Sequence, residues 1–180
     1  MKTKIIAAFI LSVGISGVAS ADNSVRFLGE VSDQTCSIKI NGTDSYPVVL
    51  LPTVSKSTLA SAGSSAGDTP FSVTLSGCDV SATSVTGKAA ARFVSNNIDG
   101  TNLSNIAASS PATNVAIQLL EGTTALDFTS GEAKTSQKTV GGDGGADTVT
   151  FDMVARYYST AGSATSGAVE ASAQFAVTYL

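Results

Sequence analysis

No histidine and no tryptophan occur among the 180 residues, cysteine appears twice, proline four times, and charged side chains make up only 13%. Without histidine the commonest general base is missing, and a zinc site would have to do without imidazole. The two cysteines, Cys36 and Cys78, stand 42 positions apart, so there is no Cys-x-x-Cys redox pair. Ten Lys and Arg against 14 Asp and Glu give a net charge of −4. That balance argues against a nucleic-acid or anionic-membrane partner. Long apolar runs are also scarce. Ile5 to Val18 is the one candidate, and Ser12, Gly14, Ser16 and Gly17 break it short of the ~20 apolar residues a retained span needs.

What that segment does have is the make-up of an export signal: Lys2 and Lys4, an apolar stretch, and Ala19-Ser20-Ala21 as a small-x-small cleavage site. Cleavage after Ala21 leaves 159 residues (180 − 21), enough for one domain with a real core. The signal carries two basic and no acidic residues, so the mature net charge is 8 − 14 = −6. Two cysteines in an exported chain are expected to form one structural disulfide, Cys36–Cys78. By chain entropy, a loop of that length is worth roughly 4 kcal/mol.

Ser, Thr, Ala and Gly dominate the remainder, which disfavours long helices and suits short strands joined by turns. Strands are expected over Thr35–Ile40, Tyr46–Leu51, Phe71–Leu75, Ala89–Val94, Val115–Leu120, Thr148–Tyr158 and Val169–Leu180. Asn41-Gly42, Ser76-Gly77, Asp99-Gly100, Glu121-Gly122, Ser130-Gly131 and Ala161-Gly162 supply the turns. Loops are expected over Ser55–Asp68, with a helical turn at Ser57–Ala60, over Asp99–Ala112, and over Gly141–Asp147. The pattern reads as a single all-β sandwich. Asp143 and Asp147 in the last loop fall short of the six to eight oxygens calcium wants, so no metal is expected. Arg156 reads as a solvated residue with its stem packed, although it could pair with an acid on a neighbouring strand. No catalytic motif is present, and no cofactor is called for; the chain is not read as an enzyme.

Both ends alternate. Val25, Phe27, Gly29 and Val31 share one face of an extended segment, as do Phe175, Val177 and Tyr179 near the C-terminus. An N-terminal strand ahead of the first cysteine can fold back on its own domain, add to another chain's sheet, or stay disordered. Patterning alone does not choose among the three.

In the order of its parts the chain resembles the chaperone–usher pilins, close to type 1 and P fimbrial major subunits. The resemblance rests on the signal, the alternating extension, Cys36 and Cys78, Thr113-Asn114-Val115-Ala116-Ile117-Gln118-Leu119, Ala155-Arg156-Tyr157-Tyr158, the penultimate Tyr179, and Gly167 with 13 residues after it. It implies an incomplete immunoglobulin-like sandwich (35–180) preceded by a donor-strand extension (22–34) and a cleaved signal (1–21). Val25, Phe27 and Val31 would then be the apolar donor positions, and Gly29 the small one where the groove has no room. Gly167, Phe175, Val177, Tyr179 and Leu180 would form the groove-edge strand that a periplasmic chaperone pairs with, its basic residues holding the Leu180 carboxylate. The implied partners are identical neighbouring subunits, the chaperone and an outer-membrane usher, with export through the periplasm to a surface fimbria. The implied work is polymerisation by donor-strand exchange as a major shaft subunit. A minor pilin or tip adaptor is the alternative within that machinery, and a self-contained glycan-binding sandwich the alternative outside it.

Overall fold

The computed structural model describes residues 36–78, 87–141 and 147–179. Its strands are β1 (Ser37–Ile40), β2 (Ser65–Ser76), β3 (Gly87–Val94), β4 (Ile98–Asp99), β5 (Asn102–Ser104), β6 (Ala116–Glu121), β7 (Thr124–Ala125), β8 (Glu132–Lys134), β9 (Lys138–Val140), β10 (Thr148–Tyr158) and β11 (Gln174–Tyr179). One sheet runs β1-β2-β10-β6-β5-β4, with β7 paired to β6; the other runs β11-β3-β8, with β9 also on β3. All pairings within them are antiparallel. The fold is an all-β sandwich.

Alternation builds the layer between the sheets. Phe71, Val73 and Leu75 of β2 and Val149, Phe151, Met153 and Ala155 of β10 point inward and are buried. They meet Ala89, Ala91 and Phe93 of β3 in one apolar cluster that also takes in Ile117, Leu119 and Phe128. Each fully buried Val, Leu or Phe contributes about 1.5–3 kcal/mol. β10 is the spine, hydrogen-bonded to β2 along one edge and to β6 along the other, with a bulge between Ala155 and Tyr157 against β2.

The turn signals act as expected. Asn41 and Gly42 have φ of 48° and 80°, the positive values a two-residue hairpin turn needs. Ile40 and Thr43 exchange both backbone bonds across it at 2.9 Å. The disulfide Cys36–Cys78 is present and joins the residue ahead of β1 to the segment just after β2, its antiparallel partner.

Several expectations need correction. Tyr46–Leu51 alternates but belongs to no strand: Pro47 and Pro52 lack the N–H a ladder requires, and no described strand lies in register beside it. The C-terminal strand begins at Gln174, opposite Val94 where β3 ends, and not at Val169. The expected loops hold structure: Ser65–Asp68 continues β2 beside Tyr157 and Tyr158, and Asp99–Ala112 contains β5. The short helix is a 3-10 turn at Lys56–Leu59, one residue early, capped by the Ser55 hydroxyl. Arg156 is not merely solvated. Its Nε and Nη2 donate to the Gln118 Oε1 at 2.9 and 2.7 Å on neighbouring β6, and Nη1 lies 3.9 Å from Asp68 on β2. Gln118 is buried, so its amide oxygen requires that partner.

Candidate functional site

β1 and β11 are edge strands of different sheets. Among the described residues β1 pairs only with β2 and β11 only with β3. They approach at one end, where the Cys36 N–H donates to the Tyr179 hydroxyl, without forming a ladder with each other. An edge strand presents a row of backbone donors and acceptors toward a further strand.

The side chains along this seam are unfinished in the same way. In β3 the inward row Ala89, Ala91 and Phe93 is 0, 0 and 3% exposed. Directly opposite them stand Tyr179, Val177 and Phe175, which face the same core yet remain only half-buried. The alternation continues backward through Ala173, Ala171 and Val169, and Ile38, Val49 and Leu51 are likewise half-buried against the same core. One apolar row therefore runs from Val169 to Tyr179, half-buried along its length among the described residues.

Gly167 and Asn105 steer the chain into that row. Ala112 N donates to the Ala168 carbonyl and Ala168 N to the Ser110 carbonyl, both at 2.9 Å, in a short parallel bridge. A Cβ on Gly167 would sit 2.4 Å from the Ala112 nitrogen, so only glycine permits the crossing. The Asn105 amide nitrogen donates to the Ala112 and Ala168 carbonyls at 2.9 Å, and its oxygen accepts from Ala107 N at 3.1 Å and Glu170 N at 3.0 Å. Nothing in the sequence singles out Asn105. A side chain that bonds backbone far away in the chain leaves no local pattern. At this end of the row lies a cavity of about 420 Å³, whose lining includes Val54, Leu59, Val115, Tyr157 and Val169. Burial raises the Tyr157 hydroxyl above its ordinary pKa.

Of the expected site residues, Phe175, Val177 and Tyr179 are brought together on β11, and Gly167 lies seven residues ahead of that strand, at the crossing. Val25, Phe27, Gly29, Val31 and Leu180 lie outside the described residues, as do residues 1–21 and most of the 141–147 loop.

A second, shallower depression of about 680 Å³ lies by β7 and β8. Its carboxylates are engaged. Glu121 accepts from the Ser136 N–H and hydroxyl at 2.6 Å. Glu132 pairs with Arg92 at 3.4 Å and Lys134 at 3.6 Å. Asp127 caps Thr129, whose side-chain and backbone hydrogen bonds lower the carboxyl's pKa. Among the described residues no three metal-ligating side chains converge.

Residues 25–180 match the family model described as fimbrial protein. The chain is 38% identical over 169 residues to the major fimbrial subunit SMF-1 of Stenotrophomonas maltophilia (strain K279a), covering 89% of this chain and 94% of that protein. It is equally 38% identical over 168 residues to the minor fimbrial subunit HifD of Haemophilus influenzae, covering 89% of this chain and 75% of that protein. Among solved structures, a chaperone–usher pilus superposes with a TM-score of 0.61 at 22% identity, covering 91% of this chain and 98% of that one. At that identity the likeness speaks for the fold, an immunoglobulin-like pilin sandwich.

Proposed function

The chain belongs to the fimbrial protein family, as a subunit of chaperone–usher fimbriae, and we propose that it polymerises by donor-strand exchange as the shaft subunit. The observation that carries this reading is the half-buried row Phe175, Val177 and Tyr179 opposite the buried Phe93, Ala91 and Ala89 of β3. A strand laid along β11 would gain backbone hydrogen bonds and place alternate side chains over that row, the β-addition mode of recognition. Residues 22–34 of the next subunit are the proposed strand, with Val25, Phe27 and Val31 entering the seam and Gly29 passing where it is too narrow for a side chain. Residues 1–21 are the proposed export signal. Before assembly a periplasmic chaperone is proposed to hold β11 and the Leu180 carboxylate, and an outer-membrane usher to carry the exchange. Because the proposed donor and the proposed seam are different segments of the chain, the contact is heterologous and repeats into a fibre without closing.

The near-full length match to a major subunit, against three quarters of a minor one, favours the shaft over a minor or adaptor position. Family and fold are those of structural subunits rather than enzymes.

The test expresses the mature chain with and without Asp22–Ser32 beside its chaperone and reads SDS-resistant ladders on an unheated gel. The full chain should give a ladder and the truncated chain none. Stable monomers from both, with no need of the chaperone, would mean a complete sandwich and turn attention to glycan binding. Immunogold labelling along the whole fibre, rather than at its tip, would place the subunit in the shaft.

A further inference from the structure

Between Gly167 and β11 the chain forms no ladder, yet its burial alternates: Val169, Ala171 and Ala173 are half-buried, Glu170 and Ser172 exposed. Its backbone groups divide in the same way. The Ala168 carbonyl accepts from the Asn105 amide nitrogen and from Ala112 N, both at 2.9 Å, and Ala168 N donates to the Ser110 carbonyl. Glu170 N donates to the Asn105 Oδ1 at 3.0 Å, and the Glu170 carbonyl accepts from Ile106 N at 2.8 Å. The Ser172 carbonyl accepts from the Ser95 hydroxyl at 2.9 Å. By contrast, the N–H and C=O groups of Val169, Ala171 and Ala173 have no partner among the described residues.

In an extended chain alternate residues turn their backbone groups to opposite sides. β3 ends at Val94, opposite Gln174, and Ser95 follows directly on it. The tied groups therefore face the β3 side, and the free ones face away from it. Asn105 spends both amide protons and both acceptor sites on backbone, the full capacity of its side chain.

We infer that Asn105 and Ser95 are positioning residues for strand acceptance, lengthening the accepting edge from β11 back to Val169. The inference rests on the strand-exchange reading above. Where β3 stops, these two side chains take over the work of its ladder and hold the chain extended. Half-buried backbone donors and acceptors require partners, and alternate residues that all face one way suit an added strand. The side chains of the same three residues continue the apolar row of Phe175, Val177 and Tyr179. One donor can thus use ladder and row together. Fixing the edge before the donor arrives spares the incoming strand the cost of ordering it.

The full chain held by its chaperone and offered a labelled synthetic peptide of residues 22–34 tests this. Capture rate is one readout; amide hydrogen exchange in the captured complex, resolved by residue, is the other. In the native chain the peptide should slow exchange at Val169, Ala171 and Ala173 as well as at Phe175 and Val177. Asn105→Ala should slow capture on the order of tenfold and lose protection at Val169 and Ala171, while Phe175 and Val177 keep theirs. Ser95→Ala should lose it at Ala171 and Ala173 instead. Native protection confined to Phe175 and Val177 would overturn the inference, whatever the variants do. So would variants that capture at the native rate with protection unchanged. Exchange that rises equally along β10 at an unchanged capture rate would also overturn it, by making the two residues supports of the whole fold. A native chain that captures no peptide would remove the strand-exchange reading itself, and this inference with it.

Discussion

A side chain on Gly167 would have to share space with main chain: its Cβ would lie 2.4 Å from Ala112 N and 2.5 Å from the Ser110 oxygen. Backbone on both sides is already tied into the bridge between Pro111 and Ala168, so neither can rotate away as a flexible side chain would. Gly42 makes the useful contrast. It has a positive φ of 80° but nothing within 4 Å, so Gly42→Ala should meet only conformational strain, about 1 kcal/mol. Gly167→Ala adds overpacking to a crossing that cannot relax and should cost about 2–3 kcal/mol. A urea titration of the chaperone-bound subunit should show a clear drop in midpoint for Gly167→Ala and a small one for Gly42→Ala. Equal midpoints would mean that the crossing yields. This demand is visible in the sequence only through the order of parts shared with the pilins. The partner atoms sit far earlier in the chain, at Ser110 to Ala112, and no local pattern announces them. The bonding of Arg156 is illegible for the same reason, since its acceptor Gln118 is set beside it by β6–β10 register and not by proximity in the chain.

Elements are legible where side-chain alternation and backbone pairing coincide. β10 runs from Thr148 to Tyr158 as expected, because Val149, Phe151, Met153 and Ala155 announce the buried face along its length. In β2 the sequence announces only Phe71–Leu75, because the earlier half, Ser65–Pro70, is paired to β10 by main chain and carries no apolar signal. Tyr46–Leu51 and Val169–Ala173 show the opposite failure, alternation without a ladder. Of the candidate seam, the β11 row is legible, and its being half-covered is not, since coverage depends on what lies opposite. The disulfide is legible from compartment and count. It anchors the start of β1 to the end of β2, and the Cys36 backbone N–H donates to the Tyr179 hydroxyl on β11. Loss of a native bridge in a small exported domain typically costs about 2–5 kcal/mol. Cys36→Ser and Cys78→Ser should each lower the urea midpoint by such an amount, and the double variant by no more than either single. A double variant twice as destabilised would show that each sulfur acts through its own packing and not through the bridge.

At the scale of the whole molecule, the described residues form a sandwich whose core is better covered on one side than on the other. β10 lies inside its sheet with partners on both edges, whereas β11 borders its own, and the core is sealed under β3 but not under Phe175, Val177 and Tyr179. A domain finished in this way should owe part of its stability to a strand from another molecule, and that share must obey mass action. Anything that binds only the folded state raises stability by RT ln(1 + [L]/Kd), about 2.7 kcal/mol at one hundred times Kd. A synthetic peptide of residues 22–34 added to the chain lacking Asp22–Ser32 should therefore raise its Tm, and the Tm should climb with the logarithm of peptide concentration. The same peptide with Gly29→Leu should give little or no rise if, as proposed, Gly29 passes where the seam leaves no room for a side chain, while its other apolar residues still match. Phe27→Ala supplies the graded control at the aromatic position: burying one less aromatic removes about 1.5–3 kcal/mol and should shift the titration to higher peptide without abolishing it. A Tm that ignores all three peptides would mean the seam is complete without a donor, and the half-burial of β11 would then be an ordinary edge.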